Sequence, residues 1–286
     1  VHDRAVPIGA VQPHREQLRR KVLHMTLDNE VACPRSVRVI PGSTHSSVLL
    51  HVPHSSAVIP DWVRERILLS DAQLEAEINR MRDSYTDSIA ATAAEQAQIR
   101  PHLFLNELAR QVIDPERFPD DREAMAKIGH GAVYLKTSQL TPLREDDPAH
   151  IAELLDRYFH PYARQMAHEV ETILEARGVV TVLDVHSFPR EALPYEVSVG
   201  PRPSICLGVD EFHTPPELID AARGAFSDFD IAINTPFAGT YVPLKFYESD
   251  ARVRGLMIEV RRDVPGTVPG LDAVCRAMTQ LVDSIH

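Results

Sequence analysis

Three short runs each end an apolar stretch on a side chain that can do chemistry. VLLHVPHSS reaches His54, VVTVLDVHSF reaches His186, and GLMIEVRR carries Glu259 just ahead of Arg261 and Arg262. Imidazole nitrogen and carboxylate oxygen are donors that zinc accepts, and a catalytic zinc site keeps one position open for water. Two histidines and a carboxylate delivered to one crevice are therefore parts of a metal-assisted hydrolase. A further ligand has to come from a nearby carboxylate, and RMRDSYTDSIA offers Asp83 and Asp87. One helical turn separates them, so both can project from one face. Asp184, two residues before His186, shares its side of a regular strand and is placed to orient that imidazole. Each piece also has a plainer use, as a satisfied strand-end histidine or as an ion pair between Glu259 and its arginines. A serine nucleophile has no support, because the chain has no GxSxG and Ser55 and Ser187 only follow histidines in sequence.

These residues need a scaffold that carries several strand ends to one place. SSVLLHV is short and apolar, and VVTVLDVHSF is β-branched without alternation, the pattern of a central parallel strand covered on both faces. HLFLNELARQVIDP reads as a strand and a loop stopped by Pro115, EVSVG and SICLG as short strands, and GLMIEVRR as another buried strand. Leu74, Ile78, Met81, Tyr85 and Ile89 recur every three or four residues, which predicts one long helix over residues 71 to 98 capped at Ser70 or Asp71. A second long helix is predicted over 151 to 176, kinked or restarted at Pro161 and closed by Gly178. Further helices are expected at 216 to 226 and 271 to 285. Residues 119 to 148 are polar and proline-dotted, a long loop of the kind that often carries function. Strands alternating with helices predict an α/β fold with a central mixed, largely parallel sheet flanked by helices. Residues 1 to 46 read as an N-terminal extension, with an amphipathic helix over 17 to 31 built on Leu18, Val22, Leu23 and Leu27. Residues 47 to 286 read as one α/β domain.

Composition narrows the function classes. At 286 residues and 44% hydrophobic, the chain can bury a sizeable core, and its net charge of −11 argues against nucleic acid or an anionic membrane as partner. Its three cysteines are dispersed with no CxxC, as expected in a reducing compartment. No apolar run reaches the roughly 18 residues of a membrane span. The expected location is cytoplasmic and the expected partner a small molecule, with self-association through the N-terminal extension.

The succession PHSSAVIP, RDSYTDSIA, LARQVIDPERF, LDVHSF, FAGTY and MIEVRR resembles the N-formylglutamate amidohydrolase family, from about Val48 to Arg262. That resemblance implies a fold similar to the zinc carboxypeptidases and aspartoacylase-like deacylases. It also implies one zinc per chain, held by His54, Asp83 and His186, with Asp87 as the alternative third ligand. Glu259 would be the general base. Arg110 and Arg117 match the arginines flanking VID, and Arg261 follows the base. An arginine fork suits a substrate carboxylate, and Arg110, Arg117 and Arg261 are the candidate oxyanion donors. Ser56 stands where the family usually has glycine, and Glu116 where it usually has asparagine, a carboxylate that would disfavour an anionic substrate.

The expected reaction is hydrolysis of an N-formyl or N-acyl amino acid, or a related small amide, by metal-activated water. The alternatives are a carboxypeptidase- or esterase-like relative with the same site, and a metal-binding protein without turnover. FAGTYVPLKFY reads as a segment closing over substrate or as a plain hairpin, with Gly239, Tyr241, Lys245 and Tyr247 as its contacts and Lys245 or Tyr247 reaching a carboxylate. The loop holding Lys127, His130, Gly131 and Tyr134 is a weaker candidate, with His130 expected to face solvent.

Overall fold

Every residue of Val48–Val52 and of Val180–Phe188 is buried, as strands covered on both faces require. The computed structural model describes residues 36–196 and 202–285. In chain order its elements are β1 (Val37–Ile40), β2 (Val48–Val52), α1 (Asp61–Arg64), α2 (Asp71–Met81), α3 (Thr86–Gln96) and β3 (His102–Asn106). There follow a 3₁₀ turn (Ala124–Ile128), α4 (Pro148–Leu154), a π-helical turn (Leu155–Phe159), α5 (His160–Arg177), β4 (Val180–Phe188) and β5 (Ile205–Gly208). The chain then forms α6 (Pro216–Ala225), β6 (Ile231–Ile233), β7 (Val253–Arg261) and α7 (Val268–Ser284).

Among the described residues the strands form one seven-stranded sheet in the order β1-β3-β2-β4-β7-β5-β6. β2 runs parallel to β3 and β4, and β4 parallel to β7, while β1 and β5 join antiparallel to β3 and β7. The mixed, largely parallel sheet is the one expected. Alternate residues of the central strands feed opposite faces. Val48, Leu50 and Val52 pack with Ile89 and Ala93 of α3 and with Met278 and Leu281 of α7. Leu49, Val180 and Val182 pack with Tyr162, Met166 and Val170 of α5. After β2 the chain pairs β3 on one side and β4 on the other, so the strand order reverses between β2 and β4. Ligand crevices of open α/β sheets lie outside the carboxyl ends of strands at such a point.

Four differences from the sequence expectations have physical causes. The helix expected over 71 to 98 is two helices. α2 opens with the Ser70–Gln73 capping box and closes when Arg82, in extended backbone, donates its N–H to Ile78 O. Tyr85 then takes a left-handed conformation (φ 74°) before α3. The apolar repeat runs through the break although the two helices bury against different partners: Leu74 and Met81 of α2 pack with Ile67, Tyr134 and Leu143, and Ile89 of α3 packs on the sheet. Such a repeat reports a buried face and not the continuity of the hydrogen-bond ladder. The second long helix starts earlier, at Pro148, and passes through the π turn, where His160 N–H donates to Leu155 O, before Pro161 opens α5. Gly178 does close it, at φ 77°. Val37–Ile40, grouped by sequence with the extension, is an edge strand paired to β3. The three-residue β6 is too short to show a pattern. The helix expected over 17 to 31, and EVSVG beyond Glu196, lie outside the described residues.

Candidate metal centre and catalytic cleft

His54 sits two residues past β2, where Asn106 holds the turn by donating from Nδ2 to Pro53 O at 2.9 Å. The break between α2 and α3 delivers Asp83 to the same point: its N–H donates to His54 O at 3.0 Å, and Thr86 Oγ1 donates to Asp83 O at 2.9 Å. β4 supplies His186 near its carboxyl end. All three side chains are buried, and one ligand atom from each lies within 4.8 Å of the others. Asp83 Oδ2 is 2.9 Å from His186 Nδ1 and 3.7 Å from His54 Nδ1. His54 Nδ1 has no hydrogen-bond partner among the described residues. A buried nitrogen lone pair facing a carboxylate and a second imidazole fits a tetrahedral metal ligand set.

The far nitrogens are backed by carboxylates. His54 Nε2 donates to Asp114 Oδ1 at 2.9 Å, and His186 Nε2 lies 3.0 Å from Asp184 Oδ2. This is the arrangement that fixes which imidazole nitrogen is free to bind metal. Burial alone would raise the Asp83 pKa, yet the hydrogen bond from His186 and the nearby His54 imidazole hold it far below the usual carboxylate range. Burial and Arg110 oppose a charge on His54, but Asp114 outweighs them and raises its pKa. His186 is raised more strongly, with Asp184 and Glu116 overcoming burial.

Glu259 faces this set across the β4–β7 pair, in register with His186. It is 8% exposed, and its Oε2 has no partner among the described residues. Burial, reinforced by Asp83, pushes its carboxyl up to about 8 against the opposing pull of His186 and Arg262. The cleft in front has a volume of about 520 Å³, within the range of small-molecule sites.

The structure sorts the arginines. Arg110 lines the cleft and donates from Nη2 to Asp114 Oδ2 at 2.8 Å, with Nη1 3.9 Å from Asp83 Oδ1. Arg117 lines it too, loosely paired with Asp114 at 3.6 Å and Glu123 at 3.7 Å. Arg261 does not reach in: at the end of β7 it turns to Asp263 (2.7 Å) and the carbonyl of Arg202. Its neighbour Arg262 takes the place, donating to the carbonyls of Arg80 (2.7 Å) and Ser187 (3.0 Å), with Nη2 3.4 Å from Asp83 Oδ1. Gly239 and Tyr247 line the cleft, whereas Lys245 is exposed and paired with Glu171 at 2.6 Å. Asp87 is exposed, its carboxylate accepting from Ser88 N, which leaves Asp83 as the aspartate beside the histidines. His130 is buried instead of solvent-facing, stacked on Tyr134 at 4.7 Å and bonded to Thr137 O. Ser56 ties the turn after β2 to β3, since its Oγ donates to Glu107 O at 2.7 Å and accepts from Val58 N at 3.1 Å.

Three contributors were not assigned to the site from sequence. Asp114 is a buried hub that accepts from His54, Arg110, Tyr134 Oη (2.6 Å) and Glu116 N. His51, inside β2, donates from Nδ1 to Asp184 Oδ1 at 2.9 Å and is bonded to Tyr162 Oη through Nε2. Its place on a wholly buried strand was the available signal, since a buried imidazole needs partners. Glu116 reaches 3.3 Å from His186 Nε2 and 3.7 Å from His54 Nε2.

The family model for N-formylglutamate amidohydrolase matches residues 46–264. A solved N-formylglutamate amidohydrolase from Ralstonia eutropha JMP134 superposes with a TM-score of 0.72 at 21% identity, covering 87% of this chain and 96% of that one. A gene product of Agrobacterium tumefaciens superposes with a TM-score of 0.62 at 19% identity, covering 86% and 93%. At these identities the likeness establishes the fold. No curated protein sequence matches.

Proposed function

The chain belongs to the N-formylglutamate amidohydrolase family, and from that premise we propose that it is a zinc-dependent amidohydrolase cleaving an N-formyl or N-acyl amino acid or a related small amide. The observation that carries the reading is the buried Nδ1 of His54, without a partner among the described residues, beside Asp83 and His186 and one strand away from the buried carboxyl of Glu259. His54, Asp83 and His186 would hold one zinc ion. When bound, zinc activates the attacking water, polarises the amide carbonyl and favours the ionised form of nearby Glu259.

The protein's own groups do the rest. Asp114 and Asp184 hold the two imidazoles so that Nδ1 faces the metal position. Glu259 takes the proton of the attacking water and passes it to the departing nitrogen. Arg110 is held against Asp114 beside the ligand set and stabilises the oxyanion, an effect of about 3–4 kcal/mol for one well-placed donor. Arg117, the most loosely paired of the cleft arginines, grips the substrate carboxylate, with Gly239 and Tyr247 on the wall. Arg261 and Lys245 leave this scheme, since each is committed elsewhere. A cleft of this size inside a chain of net charge −11 suits a small molecule rather than nucleic acid or a membrane surface. A cytoplasmic location and self-association through the N-terminal extension complete the proposal.

Metal content by mass spectrometry tests the site. About one zinc per chain is expected in the wild type and a loss of it in His54→Ala and His186→Ala; unchanged metal in either variant sinks the assignment. Glu259→Gln should keep its zinc and lose hydrolysis of N-formyl and N-acyl amino acids by about 10²–10⁴-fold.

A further inference from the structure

Away from the cleft, the fold buries a second set of polar atoms, an arginine guanidinium among them. Arg144 is 3% exposed. One of its nitrogens, Nη2, donates to the carbonyl of Gln111, while Nε and Nη1 have no partner among the described residues. Gln111 is 2% exposed and its Nε2 is likewise unpartnered; His150 is 6% exposed and its Nε2 is unpartnered. No carboxylate among the described residues answers this cation. Burial alone acts on Arg144 and lowers its pKa to about 10. The acids near His150 are engaged elsewhere: Asp147 caps α4 by accepting from the N–H groups of Ala149 and His150, and Glu153 pairs with Arg157 at 2.6 Å. Burial, followed by the positive charge of Arg144, depresses the His150 pKa, and its imidazole can present an N–H.

Buried guanidinium groups are almost always paired, and an unpaired one is strongly destabilising. A buried guanidinium with no carboxylate partner, an amide that can donate from Nε2 and an imidazole that can donate an N–H offer the donors of an anion's coordination set, and a bound ion is a recognised way such groups are satisfied. We propose that Arg144, together with the Gln111 amide and His150, holds a small monovalent anion of the chloride type. The enclosure of all three side chains excludes anything that must keep a chain in solvent. None of the three lines the catalytic cleft, so this site is separate from the one that handles substrate. Gln111 lies between Arg110 and Asp114, and Arg144 holds its backbone carbonyl. An anion there would neutralise the charge beneath the segment that carries the His54 support.

Two measurements test this on the full chain. Crystals grown with bromide in place of chloride should show an anomalous peak within hydrogen-bond reach of Arg144; no anomalous scatterer there, only water or nothing, overturns the proposal. Thermal melts at fixed ionic strength, with chloride replacing gluconate, should show a saturable rise of a few degrees in the wild type. Arg144→Met, which removes the buried charge while keeping the volume, should lose that rise and melt no lower than the wild type in gluconate. An equal chloride response in the variant and the wild type also overturns it.

Discussion

His54 and His186 occupy equivalent chemical positions, yet the protein supports them differently. His54 makes one aligned hydrogen bond, from Nε2 to Asp114, and Asp114 is itself fixed by Arg110, Tyr134 and the Glu116 N–H. His186 has no aligned Nε2 bond: Asp184 at 3.0 Å and Glu116 at 3.3 Å both approach too obliquely. Asp184 makes its aligned bond to His51. One ligand is thus held by a single carboxylate at the centre of a rigid hub. The other sits between two carboxylates, one of which answers to a strand behind it. The first arrangement rests on one aligned bond, with Glu116 no nearer than 3.7 Å, whereas the second has two carboxylates within 3.3 Å and is the more redundant.

Asp114→Ala should therefore have the largest effect. It leaves Arg110 and His54 buried without their anion, a change expected to cost about 3–5 kcal/mol. Metal affinity should fall about 10- to 100-fold as the His54 ring loses its orientation. Urea melts and competition with a metal chelator read the two effects separately. The pH dependence carries a matching signature. Burial tends to raise the Asp114 carboxyl, but His54 and Arg110 depress it well below its ordinary value. Its stabilisation is therefore complete above the unfolded pKa of about 3.9 and is lost as pH falls toward the folded value. The wild type should lose that stability in this acid window, and the alanine variant has none of it to lose. A variant that melts like the wild type at pH 7 would show that the hub is not what supports His54.

The same contrast explains what could be read from the chain. Asp184 was visible because two residues along a strand share a face, and the run around His186 reads plainly as a strand. Asp114 is 60 residues from its histidine and lies in a loop, where no periodicity points to a partner. Asp83 was readable as a residue type, but the break that aims it was hidden by an apolar repeat that continues across two helices buried in different clusters. Arg261 was expected at the site because it follows the base in the motif that resembles the family. The strand ends there, however, and Arg262 N–H turns to Phe188 O, which swings the next side chain inward. The sheet could be inferred from the continuous apolar character of β2 and β4. The short strands β1 and β6 could not, since neither is long enough to carry a pattern.

Asp184→Asn is the sharper test of redundancy. With Glu116 Oε1 3.3 Å from His186 Nε2, another anion can take over the imidazole N–H. The single variant should lose metal affinity by about tenfold, the low end for a group that orients a ligand. Glu116→Gln alone should cost less, because Asp184 remains. The double variant should lose more than the two singles combined, the coupling expected of groups that share one partner. Simple additivity would mean that Glu116 does not support His186 and that the two ligands are held in the same way.

The smallest effect should come from the outermost member of the His186 side, Tyr162. Its hydroxyl donates to His51 Nε2, which leaves His51 Nδ1 to donate to Asp184. Tyr162→Phe keeps the ring that packs edge-on to Phe104 at 5.0 Å and removes only the hydroxyl. The cost should be that of one buried acceptor left unsatisfied, about 1–3 kcal/mol of folding stability. Metal affinity should stay within about twofold, because two carboxylates stand between this hydroxyl and His186, and each limits what the other must supply. Calorimetric melts of the metal-free protein and a chelator titration give both numbers. If Tyr162→Phe lowered metal affinity as far as Asp184→Asn does, the line from Tyr162 through His51 to Asp184 would act as a single rigid support. The His186 side would then be a second hub built like the one around Asp114, drawn from strands and a helix instead of a loop.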